Sequence, residues 1–394
     1  METSGIRREH LRLVAVLGTL TAFAPLSIDM YLPAFPRIAA HFHASDGAVQ
    51  ATLAAFLIGM AMGQSVLGPL SDRTGRLPPL VFGIGIFVLA SVFAALAPNI
   101  ESLIVARFLQ ALGGCTGIVT SRAMVRDLFN ERESAQVYSL LMLVMGVAPI
   151  LAPLLGSFLI IRFDWPMIFW LLAGFGTLCL ALVTFGLGET LPREKRHAGG
   201  VAHVLRAYVA LMGDRAFLAF TLANACISAS MFAYITGSPF VFIEIHGFTP
   251  SQFAMTFGSI AATFILMAQV NAYLLRTLSG RLILKIAMTV HLCAALALVA
   301  VVIFLPTHAL PLMALLFLLV PTLGFIGSNA IAAAMSRAGA NVGAAAALTG
   351  VIQFAMAGAS GAAVGALNNG TAMPMALVIA GLSITASLVR LAAR

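Results

Sequence analysis

Asp29 and Arg107 are the residues of this chain whose type and setting most directly suggest chemistry, because each carries a full charge inside a long apolar run. A carboxylate in a bilayer costs roughly 2.5–3.5 kcal/mol even on the lenient insertion scale, and acids kept there mark proton, ion or substrate sites. Pro25 and Pro33 flank Asp29 and leave backbone carbonyls without a helical partner, which calls for a cavity or a neighbouring helix. The alternative is an interfacial acid near the outer end of its helix. Arg107 keeps its proton, so it needs a partner or water unless it snorkels outward. Gln110 and Gly114 follow three and seven residues later, on the same helical face. Depth brings the two charges together. Asp29 lies seventeen residues after Arg12, and Arg107 fifteen before Arg122. At 1.5 Å per residue those are climbs of roughly 25 and 22 Å from one membrane edge. Facing one cavity, the pair would form a proton switch, with the guanidinium favouring the ionised acid and burial opposing it.

Weaker patterns surround this pair. Tyr138, Met142, Met145 and Pro149 recur at helical spacing, as do Asn224, Ser228 and Met231, and Thr349, Gln353 and Met356. With Tyr31 and Gln110 they are candidates for a substrate cavity whose methionines give an adaptable apolar wall; plain packing is the alternative. His41 and His43 fall in the first outer loop, where two histidines do not make a metal site. Cys115, Cys179, Cys226 and Cys293 sit singly in apolar runs, which offers no disulfide framework and no zinc site. Gly83-Ile-Gly85 lies inside an apolar span, and no GxxxxGK[ST] loop occurs, so ATP-driven pumping has no support. No nucleophile–base set is apparent, and an enzyme is not expected. No cofactor is implied beyond the proton as coupling ion.

The elements that must position these residues are membrane helices. The 394 residues are 61% hydrophobic and only 9% charged, against roughly 45–50% and about 25% in soluble domains. That excludes a soluble multi-domain protein and disorder, and the net charge of +8 has no soluble face from which to bind nucleic acid. Runs near the ~20 residues a bilayer requires fall at about 11–33, 49–70, 79–97, 103–124, 135–161, 166–187, 216–240, 252–275, 282–305, 309–335, 342–367 and 373–391. The fold class is all-α membrane protein with twelve transmembrane helices. With both termini cytoplasmic, all but three of the 22 basic residues (Arg37, Arg107 and Arg162) lie on the inner side, as the positive-inside rule requires. Arg7 and Arg8 precede a first span too long for a signal core, so it is retained. The polar stretch around Glu189, Pro192–Arg196 and Gly199–Gly200 reads as a cytoplasmic linker. The organisation is a six-helix half at 1–187, a linker at 188–213 and a second half at 214–394. A degenerate repeat supports it: Gly75-Arg76 and Gly280-Arg281 occupy corresponding loops, a plan common among secondary transporters.

Six stretches carry a resemblance. The loop Gly68-Pro-Leu-Ser-Asp72-Arg73-Thr-Gly75-Arg76 resembles the helix 2–3 signature of the major facilitator superfamily. Arg107-Phe-Leu-Gln-Ala-Leu-Gly-Gly114 is similar to its helix-4 motif, and Ala148-Pro149-Ile-Leu-Ala-Pro153-Leu-Leu-Gly156 to the helix-5 motif of its antiporters. Ser27-Ile-Asp-Met-Tyr-Leu-Pro33 resembles the helix-1 signature of the bicyclomycin/chloramphenicol-resistance (Bcr/CflA) branch, as do Glu189-Thr-Leu-Pro192 and Ser238–Ile245. The helix-5 stretch departs by carrying Ala148, Ala152 and Ser157 where glycines are usual, and Leu77-Pro78-Pro79 stands where a basic residue often follows Arg76.

The resemblance implies a proton-coupled exporter of drug-like molecules in a bacterial inner membrane, working by alternating access as a monomer. Its partners would be a small-molecule substrate, protons and the lipid bilayer, with no nucleic acid. It also implies that Gly68, Asp72, Arg73, Gly75 and Arg76, with Pro149, Pro153 and Gly156, serve the conformational switch, the Asp72 carboxylate meeting a helix N-terminus or a neighbouring arginine when the inner side closes. A metabolite exporter or importer on the same scaffold is the alternative, since fold does not fix substrate. A non-transporting receptor or scaffold is disfavoured by the lack of a sizeable soluble domain.

Overall fold

The computed structural model describes residues 8–196, 201–339 and 342–392. Arg7, Gly199 and Gly200 lie outside the described residues, as do the chain ends and the side chains of Arg8, Arg12, Arg132 and Lys195. Twelve helices long and apolar enough to cross a membrane follow one another: α1 Leu13–Phe42, α2 Asp46–Thr74, α3 Leu77–Ala95, α4 Ile100–Leu128, α5 Gln136–Arg162, α6 Pro166–Gly186, α7 Arg215–Ile245, α8 Pro250–Leu274, α9 Gly280–Phe304, α10 Ala309–Met335, α11 Val342–Ala366 and α12 Met373–Leu391. There is no strand among the described residues.

Local chemistry sets where these helices begin. Asn99 and Ser102 cap each other reciprocally at the start of α4, and Thr249 and Gln252 do so for α8. Ser45 and Ser279 accept backbone N–H groups at the starts of α2 and α9. Such caps satisfy amide groups that no preceding turn can reach. Prolines open α3, α6 and α8, at positions whose N–H would be orphaned in any case.

The expected spans agree with these helices to within a few residues, with three instructive differences. The first is longer than hydropathy suggested. It turns at Ala22, passes through a turn at Met30–Tyr31 and a 3-10 segment over Leu32–Ala34 that holds Pro33, and resumes as a helix over Phe35–Phe42. Arg37 is therefore helical rather than in a loop, and its guanidinium donates to the Ile160 carbonyl of α5. His41 lies in the last turn of that helix against Phe42 and Trp165; only His43, in the left-handed region at φ 49°, stands in the turn. The linker is also partly helical, over Val201–Gly213, and that helix packs on α7 and α11.

The helices approach closely because small residues leave room. A Cβ on Gly117 of α4 would stand 2.4 Å from the Leu20 carbonyl oxygen of α1, and one on Gly156 of α5 would stand 2.0 Å from that of Met30. Backbone contact of this kind replaces the hydrophobic drive that lipid cannot supply between helices. α1–α6 and α7–α12 meet mainly through α2 against α11 and α5 against α8. At the end opposite the linker this contact is tight. A Cβ on Gly47 would fall 2.4 Å from the Gly365 carbonyl oxygen, Ser157 and Ser251 share a hydrogen bond of 3.1 Å, and Asn368 donates to Asp46 at 3.4 Å.

Gly156→Ala forces its new methyl into the Met30 backbone. It is expected to cost about 1–3 kcal/mol, the usual price of overpacking, and to lower the melting temperature in detergent. Gly85→Ala, whose Cβ meets nothing within 4 Å, should melt as the wild type does. Equal melting of the two variants would contradict the close approach of α5 to the interrupted part of α1.

Candidate functional site

Ser27 and Asp29, two residues apart in the helical stretch Phe23–Asp29 of α1, present neighbouring groups in opposite directions. The Ser27 carbonyl points into the first six helices, where it accepts Nη2 of Arg107 at 2.8 Å. Nη1 of Arg107 donates to Oε1 of Gln110, whose own Nε2 donates to Ser91 at 2.7 Å. The guanidinium carbon lies 4.6 Å from the ring centre of Tyr31 and 4.3 Å from that of Phe56, with Phe169 at 5.7 Å. A guanidinium is weakly hydrated and planar, so it suits such an aromatic cage. Arg107 is fully buried, and its Nε has no partner.

Asp29 points the other way. Its carboxylate makes no hydrogen bond or ion pair with any described residue and lines a chamber of about 70 Å3 between α1, α5, α7, α8 and α10. The opposite wall carries Tyr234, whose hydroxyl is buried without a partner and whose ring stacks on Phe257 at 5.6 Å. Met145, Gly146, Pro149 and Met231 complete much of the lining. Gly146 and Ile265 also line a second, larger space, a cleft of about 600 Å3 between α5 and α8 that holds Tyr138 and Met142. The cleft has the volume of a drug-sized binding site, while the chamber holds only a few waters. A Cβ at Gly146 would come within 3.3 Å of Ile265, so this glycine sits at the neck between the two.

Several expectations about placement need correction. Asp29 and Arg107 do share a depth, because Arg107 holds the carbonyl two residues before Asp29. They do not form a pair, since the α1 backbone stands between them. Tyr31 and Gln110 line neither the chamber nor the cleft: Tyr31 is fully buried, hydrogen-bonded to Thr52 at 2.9 Å, and serves the Arg107 cage. Asn224, Ser228 and Gln353 line neither space; Asn224 is buried among helices with its Nδ2 unpartnered. Met145, Met231 and Pro149 face the chamber, and Tyr138 and Met142 the cleft. Pro153 is buried inside α5, a turn from Gly156.

At the linker end, Arg76 is the hub of a separate charge node. Its side chain is 3% exposed, donates to Asp127 of α4 at 2.7 Å and to Asp72 of α2 at 2.5 Å, and reaches Ser71 at 3.1 Å. Asp72 is half exposed and Asp127 largely covered. Arg73 is exposed, and Gly68 makes no close approach. Gly75 adopts φ 101°, a conformation suited to glycine. The sequence reading missed Asp127 and Tyr234. Asp127 directly follows Arg126 in an apparently solvated charged run, and Tyr234 falls three residues after Met231, one helical turn along the stripe already noted.

The family model for the Major Facilitator Superfamily matches residues 17–366. The chain belongs to the major facilitator superfamily. It is 36% identical to the uncharacterized MFS-type transporter YdgK of Bacillus subtilis, over 94% of this chain and 92% of that one. It is 30% identical to a bicyclomycin resistance protein homolog of Haemophilus influenzae, over 92% and 91% of the two chains. It is also 30% identical to the multidrug resistance protein MdtL of Escherichia coli, over 74% and 73%. Among solved structures, the nucleoside transporter NupG superposes with a TM-score of 0.77 at 13% identity, over 98% of this chain and 100% of that one. A D-xylose–proton symporter gives 0.72 at 15%, over 96% of each. Within the superfamily the chain is of the Bcr/CflA type, as its helix-1 motif implied. It is a multi-pass inner-membrane transporter and not an enzyme.

Because Asp127 is the more covered partner of Arg76, losing its charge leaves the buried guanidinium less compensated than losing that of Asp72. Asp127→Asn is therefore expected to slow transport more than Asp72→Asn, with equilibrium substrate binding within a few-fold of wild type for both. Rates of uptake into inverted vesicles set against binding by the purified variants test this; a large loss of binding in either would remove the node from the switching step.

Proposed function

We propose that this transporter exports drug-like small molecules, with basic amines preferred, in exchange for protons that bind Asp29. The observation that carries the reading is the position of the Asp29 carboxylate, unpartnered and facing a chamber walled by both sets of six helices. Ionised there, it bears the cost of a charge out of water. A proton removes that cost, and so does the cationic group of a ligand held in the α5–α8 cleft and reaching the carboxylate past Gly146. The two therefore compete for one group, which is the minimum requirement for exchange.

The rest of the lining supports the same reading. Tyr234, Phe257 and Phe264 offer aromatic faces to a cation, while Met145 and Met231 offer adaptable apolar surface. The names of the relatives, a bicyclomycin resistance protein homolog and a multidrug resistance protein, point to the same class of substrate. With the linker end taken as cytoplasmic, as the basic residues suggest, the present form is closed outward and receives substrate through the α5–α8 cleft. Arg107 then acts through the backbone: it holds the helical turn that aims Asp29 at the chamber and exchanges no proton itself. The protein works as a monomer on this reading, since the chamber is built within one chain.

Inverted membrane vesicles carrying the protein, acidified inside by respiration, test the proposal. Adding tetraphenylphosphonium or ethidium should partly collapse the pH gradient in wild-type vesicles and leave it intact with Asp29→Asn. A collapse of equal size in the variant would move coupling to another acid, of which Glu244 at the end of α7 is the next to test.

A further inference from the structure

Glu189 lies just after α6, outside the chamber and the charge node, yet its carboxylate is the most heavily hydrogen-bonded at the linker end. Oε1 accepts the backbone N–H of Arg76 at 2.9 Å and that of Leu191 at 2.9 Å, and Oε2 accepts the N–H of Leu77 at 3.3 Å. Arg196, further along the linker, stands 3.8 Å from Oε2. Arg76 and Leu77 open α3, so Glu189 caps that helix from a distant part of the chain, at the end where an anion is favoured. Burial works against its charge, but the three backbone donors and Arg196 outweigh this and hold its carboxyl below the usual carboxylate range.

The same contact explains the glycine of the turn. A Cβ at Gly75 would stand 2.3 Å from Oε2 of Glu189. The side-chain space of residue 75 is thus occupied by the Glu189 carboxylate, in addition to the φ of 101° that favours glycine. Arg76 is held from two sides: its backbone by Glu189 at the head of the linker, its side chain by Asp72 and Asp127. Beyond Arg196 the linker reaches the helix Val201–Gly213, which rests on α7 and α11. The linker thus joins Glu189, bonded to the start of α3, to a helix that rests on the second six helices.

We propose that Glu189 is a latch that ties the linker to the Gly75 turn and favours the arrangement in which the end opposite the linker is closed. It is a positioning residue: it touches neither chamber nor cleft, and acts by holding the start of α3 and the Arg76 hub. The latch does not depend on which substrate or ion is carried.

The test needs no ligand. Ser157 and Ser251 meet across the closed end at 3.1 Å, so Ser157→Cys with Ser251→Cys reports closure by disulfide yield, in a Cys293→Ser background that removes the one exposed native cysteine. Glu189→Ala is expected to lower the yield at least three-fold and to speed hydrogen exchange at the Arg76 and Leu77 amides about ten-fold. Glu189→Gln, which retains one acceptor oxygen, should fall between it and the wild type. Gly75→Ala should lower the yield less when added to Glu189→Ala than when added to the wild type, because its methyl no longer meets a carboxylate. Melting temperatures within a few degrees of the parent separate this from general unfolding, and Glu189→Gln carries the test if Glu189→Ala fails to fold. Faster local exchange with an unchanged disulfide yield would reduce Glu189 to a helix cap and overturn the latch, as would unchanged values in both assays. Collapse of the pH gradient by substrate is measured separately, so failure of proton exchange and failure of the latch are distinguishable.

Discussion

The structure turns on the burial of one guanidinium. Arg107 sits at zero exposure among α1–α6 with no carboxylate beside it. A cation in such a place must be met by carbonyl and amide oxygens and by aromatic faces, and the fold supplies all three through Ser27, Gln110 and the rings of Tyr31 and Phe56. Ser27 lies in the last helical turn before α1 is interrupted at Met30–Tyr31 and Pro33. Two residues further along that turn, about 200° around the helix, Asp29 faces away from Arg107 and toward the other six helices. The chamber, the close seat of Gly156 on Met30 and the facing Tyr234 all lie at this level of α1.

The two ends of the molecule answer different needs. Opposite the linker, small residues and short polar contacts close α2 on α11 and α5 on α8. At the linker end, contacts are dominated by charge: Arg76 with Asp72 and Asp127, and Glu189 with the first amides of α3. Close van der Waals packing changes steeply with distance, whereas the half-exposed Asp72 can leave buried Arg76 for water at lower cost than the covered Asp127 can. An alternating-access protein needs both, a seal that is either made or not and a hub that can be rebuilt.

Much of this was legible in the sequence, and the limits have a physical origin. Twelve spans and their boundaries follow from apolar length alone, because the bilayer imposes it. The depth of Asp29 and Arg107 was readable by counting residues from basic anchors, and the Ser27 contact bears this out. Which way a side chain faces was not readable. In a soluble helix the apolar stripe marks the core, but here lipid and protein interior are both apolar, so α4 offers no contrast to show that Arg107 and Gln110 turn inward. For the same reason periodicity grouped Asn224, Ser228 and Gln353 with Met145 and Met231, although they line neither the chamber nor the cleft. Glu189 was noted only as part of the linker and of a motif, since two of its partners are backbone amides more than a hundred residues away, which no spacing rule reveals.

The central claim is that Asp29 surrenders a proton when a cationic ligand takes its place beside Tyr234, while Arg107 keeps its charge throughout. Infrared difference spectroscopy on purified protein, with and without tetraphenylphosphonium, reads this directly through the stretch of a protonated carboxyl group. The account predicts that ligand removes one such band from the wild type, that a carboxylate band replaces it, and that both changes vanish in Asp29→Asn. A band lost equally in the variant, or no loss in the wild type despite bound ligand, would contradict it.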